Sequence, residues 1–144
     1  MSGDITLLVE GLQAAVEIEL RAMITYGHMA AFCRGVDRLL LNPLFSGEAA
    51  ESVLHLGQVR DMLADLGAEA HTHYEFKLDC EATGALTAQQ MLKLALTMEL
   101  EALSLYTSLH GTAEELGLVT LTRKLEALLD QEQESVHEMT RLLR

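Results

Sequence analysis

Proline is nearly absent from this chain, which carries one, Pro43, in 144 residues. With so few helix breakers, long uninterrupted helices are permitted, and 49% of the residues are hydrophobic. Aromatic residues make up 4% and tryptophan is missing, which argues against an all-β core built on aromatic and branched side chains. Cysteine occurs only as Cys33 and Cys80, too few for a disulfide framework. No Cys-x-x-Cys pair exists, so a thiolate zinc site or a built-in rubredoxin-type module is excluded. Basic residues are outnumbered 10 to 22 by acidic ones, giving a net charge of −12. That balance excludes a nucleic-acid backbone and an anionic membrane surface as partners. No apolar run reaches the length of a membrane span. The first residues include Asp4 and Glu10 and no basic leader, so no signal peptide is expected and a reducing, cytoplasmic setting follows. The length suits a single domain over 1–144.

What is present is helical periodicity, in four stretches. The first spans about 4–34, with a stripe of Leu8, Leu12, Ala15, Glu19, Ala22, Tyr26, Ala30 and Cys33. The segment from Gly35 to Ser46 holds Asn42-Pro43 and breaks the pattern, which puts the second helix at about 46–66 with Gly67 as its stop. The third, about 87–116, opens on Thr87 with Gln90 three residues on, the spacing of a capping box. The fourth covers about 118–143. Between the second and third lie roughly 20 residues, enough when extended to run about 60 Å, whereas a helix of this length measures about 32 Å. The expected architecture is all-α, a four-helix bundle of two antiparallel hairpins joined by one long crossover, the layout of ferritin-like bundles.

One pattern recurs. Glu-Leu-x-Ala-x-x-x-Tyr appears as Glu19, Leu20, Ala22 and Tyr26, and again 80 residues later as Glu99, Leu100, Ala102 and Tyr106. A carboxylate inside an apolar stripe is costly unless something pairs with it. Two at matching places suggest a shared partner, such as a metal ion between two hairpins. At about 100° per residue, Glu19, Glu99 and Glu132 point inward on their helices, Ser52 lies near the centre of the second helix's apolar face and His55 on its flank. His110 returns to within about 20° of the Glu99 face, and Glu48 lies close to the inner face of its own helix. Glu134 and His137 have the Glu-x-x-His spacing of a di-iron ligand pair, but they fall about 160° and 140° from Glu132, on the polar side. His28 faces outward, and His71 and His73 sit in the crossover.

The duplicated motif resembles the first- and third-helix pattern of the ferritin-like superfamily, bacterioferritin most closely, with similarity spread from about Leu8 to Leu143. That family holds two irons with four Glu and two His. By resemblance, Glu19 and Glu99 match the terminal carboxylates. Thirty-three residues after each, the family has a bridging Glu; this chain has Ser52 in the first half and Glu132 in the second. Three further on, the family has His, and here stand His55 and Ser135. The implied metal ligands are Glu19, His55, Glu99 and Glu132, with Tyr26 and Tyr106 as donors that orient the carboxylates. Iron is the implied cofactor, as one or two ions, and mixed imidazole and carboxylate ligation also admits Mn or Zn. Glu48 or Glu51 is in reach to replace the missing bridge.

Haem is not expected, since Val53 stands where bacterioferritin has its ligating Met. Ala102 stands where rubrerythrin-like proteins carry an extra Glu. The resemblance implies Fe(II) binding, electron transfer to O2 or peroxide, and a homodimer or larger homo-oligomer. Two alternatives stay open at this point. One is a non-catalytic bundle whose buried acids and His55 form a metal-free polar network, acting as a structural or accessory subunit. The other is a rubrerythrin-type peroxidase without a rubredoxin module.

Overall fold

A computed structural model describes residues 2–75, 77–78 and 86–144 of the chain; Cys80 and Gly84 lie outside them. Four helices follow in order: α1 Ser2–Phe32, α2 Arg38–Asp65, α3 Ala88–Glu115 and α4 Val119–Leu142. Among the described residues there is no strand.

Two apolar clusters divide the interior. The first gathers Leu8, Leu12 and Val16 of α1, Leu56 to Leu63 of α2, Ala102 to Ala113 of α3 and Leu121 to Leu128 of α4. The second gathers Ala22 to Ala30 of α1, Leu41 and Phe45 of α2, Met91 to Met98 of α3 and Met139 of α4. Every helix passes through both clusters, and the order in which it does so fixes its direction. From first to second run α1 and α4; from second to first run α2 and α3. The chain therefore forms two antiparallel hairpins whose connection crosses the bundle lengthwise. Tyr74 of that connection packs on the first cluster, and Leu78 and Leu86 pack on the second. Gln13 on α1 anchors it, donating to the Glu69 carbonyl at 2.6 Å and accepting from the His71 amide at 2.9 Å.

The helix ends follow local chemistry. Gly67, at φ 75°, closes α2: its amide donates to the Ala64 carbonyl and the Ala68 amide to that of Leu63, both at 2.9 Å. This double bond pattern needs a residue in the left-handed region, where glycine carries no Cβ penalty. Thr87 caps α3 as its spacing predicts. Its hydroxyl accepts from the Gln90 amide at 3.1 Å, and the Gln90 side chain accepts from the Thr87 amide at 2.8 Å. Thr87→Ala removes one side of this box and is expected to cost about 1 kcal/mol in urea denaturation, with Thr87→Ser restoring most of it.

The start of α2 departs from the expectation. The helix begins at Arg38 rather than near residue 46 and carries Pro43 inside it. Pro43 lacks the N–H that would bond the Leu39 carbonyl, and sequence punctuation alone reads that as a break. Tertiary anchors offset the loss. The Arg38 guanidinium donates to the carbonyls of Ala30, Ala31 and Cys33 at 2.9 to 3.3 Å, and the Asn42 amide donates to that of Ala30 at 2.8 Å. These contacts satisfy the open carbonyls at the end of α1. Leu41 and Phe45 are fully buried, with the Phe45 ring stacked 5.8 Å from that of Tyr26.

Candidate metal centre

Between the two apolar clusters lies one polar layer. Glu19, Ser52, His55, Glu99, Glu132 and Ser135 are all buried, each contributed at the level where its helix leaves one cluster for the other. Every helix supplies at least one of them. Amphipathicity explains why: each replaces an apolar residue in a continuous inward stripe, so the fold that buries the stripe must bury the acid.

The duplicated motif is exchanged across the bundle. The Tyr26 hydroxyl on α1 donates to Glu99 on α3 at 2.5 Å, and the Tyr106 hydroxyl on α3 donates to Glu19 on α1 at 2.8 Å. Each tyrosine orients the carboxylate of the opposite copy. Burial first, and then the facing carboxylate, pushes both phenols well above their ordinary range, so they remain donors.

His55 sits at the centre of charge. Its Nδ1 lies 3.1 Å from Glu132 and 3.4 Å from Glu19, and its Nε2 lies 2.5 Å from the Gln131 side-chain oxygen. Burial alone would lower its pKa, but the Glu132 and Glu19 carboxylates overcome this and lift it to about 10. Among the described residues, Glu19, His55 and Glu132 are the one group of three whose ligating atoms lie within 4.8 Å of one another. Glu99 stands outside that triple, with one oxygen on Tyr26, and faces Glu132. Burial, reinforced by the bond to Glu132 and its charge, raises Glu99 to about 11, so it stays neutral and acts as a donor. A cavity of about 10 Å³, the space of a single water or small ion, is lined by Glu19, Glu51, Ser52, His55, Glu99 and Glu132 and by apolar side chains such as Ile18 and Met98.

The second oxygen of Glu132 is the unresolved element of this layer. It is buried and no hydroxyl, amide or imidazole donor reaches it; the one proton at hand is that of the facing Glu99 carboxyl. Leaving a buried carboxylate oxygen unmatched is unfavourable, and a cation in the adjoining cavity removes the deficit. Two carboxylate oxygens and an imidazole nitrogen suit iron, manganese or zinc. The donor set therefore fits a divalent metal.

The serines are placed differently. Ser52 lines the cavity; Ser135 donates toward both Glu48 oxygens at 3.2 Å. Burial and then the nearby Glu51 charge raise Glu48 to about 7, and Glu51 is raised chiefly by burial. Glu134 and His137 are exposed, on the polar side where helical geometry puts them. His110 pairs with Glu126 at 3.1 Å, and His73 with Glu75 at 3.1 Å, rather than joining the layer. His28 is half-buried and tilts against Phe32 at 4.7 Å, a packing contact that its outward register did not suggest.

Gln131 is the residue that sequence reasoning passed over. It precedes Glu132 and lies about 100° from it, on the flank facing α2. Its oxygen accepts the Nε2 proton of His55 and leaves Nδ1 as the atom turned toward Glu19 and Glu132. Gln131→Leu is expected to weaken divalent-metal affinity roughly tenfold or more, while Gln131→Glu keeps the acceptor and retains binding. Calorimetric titration of both variants checks this.

Comparison with known proteins agrees with the geometry. The ferritin family profile, described as a ferritin-like domain, matches residues 9–144. The chain is 29% identical to a ferritin-like, di-iron-carboxylate protein from Bacillus anthracis, with a TM-score of 0.90 and all of both chains covered. It is 18% identical to the bacterioferritin of Desulfovibrio desulfuricans, with a TM-score of 0.84, covering 98% of this chain and 80% of that one. A Dps protein from Bacillus brevis gives 14% identity and a TM-score of 0.88, covering 100% and 99%. The last two likenesses establish the fold alone. No curated protein matches the sequence.

Proposed function

We propose, since the chain belongs to the ferritin-like family, that its buried polar layer binds iron, with manganese or zinc as chemically admissible occupants. The ligands are Glu19, His55, Glu132 and, from the third helix, Glu99. The observation that carries this reading is the unmatched Glu132 oxygen beside an ion-sized cavity. The di-iron-carboxylate character of the Bacillus anthracis protein supports the choice of metal.

Bound iron would supply one-electron chemistry toward O2 or peroxide. The chain's own contributions are distinct from that. Tyr26 and Tyr106 hold Glu99 and Glu19 in fixed rotamers. Gln131 holds the His55 ring. The two apolar clusters exclude bulk water from both ends of the layer. The protons on Glu99 and Nδ1 of His55 balance buried charge until a cation takes over that task.

Metal analysis of the full chain purified without chelator, together with Fe(II) oxidation followed by absorbance, tests the proposal. Bound iron that is lost in Glu99→Ala is the expected result. No bound metal in the wild type, or unchanged metal uptake in Glu99→Ala, would sink it. A second reading, a metal-free bundle acting as a structural or accessory subunit, is favoured by the two serines in the layer. Under that reading added Fe(II) or Mn(II) leaves the melting temperature where it was.

A further inference from the structure

We propose that Met98 is an oxidation site in the wall of the polar layer, and that peroxide converts its thioether to a sulfoxide whose oxygen closes the cavity to metal. The closure rests on the reading that the layer binds metal; the oxidation does not.

The cavity has an apolar wall as well as a polar one. Ile18 and Ala22 of α1 and Met98 and Ala102 of α3 line it beside the carboxylates and His55. Ile18 stands 80 residues before Met98, and Ala22 the same distance before Ala102. The duplicated motif therefore extends by one position ahead of each glutamate, and there its two copies differ. The first presents an inert hydrocarbon to the cavity, the second a thioether. Among the described residues no other methionine lines this space. Met29, Met62, Met91 and Met139 are held inside the apolar clusters. Met98 keeps 8% of its surface, while Met29, Met62 and Met139 keep none. It is the buried methionine that a small polar oxidant can reach.

The step is an oxygen transfer. The Met98 sulfur attacks one oxygen of hydrogen peroxide and the O–O bond breaks. That oxygen stays on sulfur, and the other leaves as water with both protons. Sulfur gives up two electrons and peroxide takes them. The product is a polar side chain where an apolar one stood. Its other surroundings are the second apolar cluster, whereas the Ser52 hydroxyl and the Glu99 carboxyl lie on the cavity side. The new acceptor turns toward those groups. A cavity of about 10 Å³ has room for one such oxygen or for an ion, not for both. Enzymatic reduction of the sulfoxide reverses the change, so the closure acts as a switch.

Metal-free full chain treated with hydrogen peroxide, then digested and read by peptide mass spectrometry, tests the oxidation. Sulfoxide at Met98 is expected to form about tenfold or more faster than at Met29, Met62 and Met139. Equal rates at the four overturn the site. Mn(II) titration before and after treatment tests the closure. Treated wild type should bind about tenfold or more weakly, with recovery after methionine sulfoxide reductase. Met98→Ile, which copies the first half, and Met98→Leu both conserve volume and should bind within about threefold of untreated wild type. Neither should lose binding on treatment, although their remaining methionines meet the same peroxide. Undiminished binding by treated wild type, or an equal loss in both variants, overturns the closure and leaves the proposed function intact. No Mn(II) and no Fe(II) bound by the untreated chain overturns the proposed function and the closure with it, while the peptide rates still decide the oxidation.

Discussion

Replacing Glu132 by Gln is expected to abolish the thermal stabilisation that divalent metal confers. Glu132 is buried, with one oxygen on His55 and the other reached by no hydroxyl, amide or imidazole donor. In the metal-free chain the amide removes one of the two carboxylates paired with the buried His55 imidazolium, so the metal-free melting temperature falls and the quantity to compare is the metal-induced shift. In the metal-bound chain it removes the ligand that lies between the Glu19 and Glu99 sides of the layer. An ion at one hundred times its dissociation constant stabilises the native state by about 2.7 kcal/mol, or roughly 10 °C for a chain of this size. That shift should shrink below about 2 °C in Glu132→Gln. Glu134→Gln, exposed on the same helix, serves as the control and should retain it in full. Scanning calorimetry with and without Mn(II) gives the comparison. Retention of the whole shift in Glu132→Gln removes this residue from the ligand set.

Raising the pH from 5 to 9 should destabilise the metal-free protein and tighten metal binding. Glu99 is lifted from 4.5 to about 11, mainly by burial, and His55 from 6.5 to about 10 by Glu132 and Glu19 acting against burial. Both folded-state values lie above the unfolded ones. The stabilisation tied to the Glu99 proton is complete below pH 4.5 and is lost progressively up to about 11. That tied to the His55 proton is complete below 6.5 and is lost up to about 10. The two losses overlap and have the same sign, so the metal-free melting temperature falls across this window. A metal ion needs both groups deprotonated, so about two protons leave per ion bound at neutral pH. Affinity should then rise by up to about a hundredfold per pH unit through the lower part of the window. Titrations in buffers of different ionisation enthalpy count the protons. Release of none would mean that neither Glu99 nor His55 touches the ion.

Much of this architecture is legible in the sequence because apolar stripes at helical spacing leave few ways to pack. The inward register of Glu19, Glu99 and Glu132 follows from their neighbours, and so does the outward one of Glu134 and His137. Gly67 and the Thr87–Gln90 pair mark helix ends through local bonding that needs no distant partner. Pro43 was misleading for the opposite reason. What keeps the first turns of α2 helical is the contact of Arg38 and Asn42 with the end of α1 and the burial of Phe45, none of it local to the proline. Gln131 was illegible because its role depends on which way the His55 ring faces. The crossed pairing of tyrosines and carboxylates also lay beyond the motif: its repetition indicates equivalence, not exchange.

That exchange sets an order of events in folding. The bonds from Tyr26 to Glu99 and from Tyr106 to Glu19 join residues 73 and 87 positions apart, and each crosses from one hairpin to the other. Each hairpin can form from nearby contacts, yet neither then supplies the tyrosine donor of its own glutamate. Closing such long loops is slow compared with growing a helix. Metal capture in the geometry described here therefore follows docking of the two hairpins, and the ion arrives as the last component of assembly rather than as its nucleus.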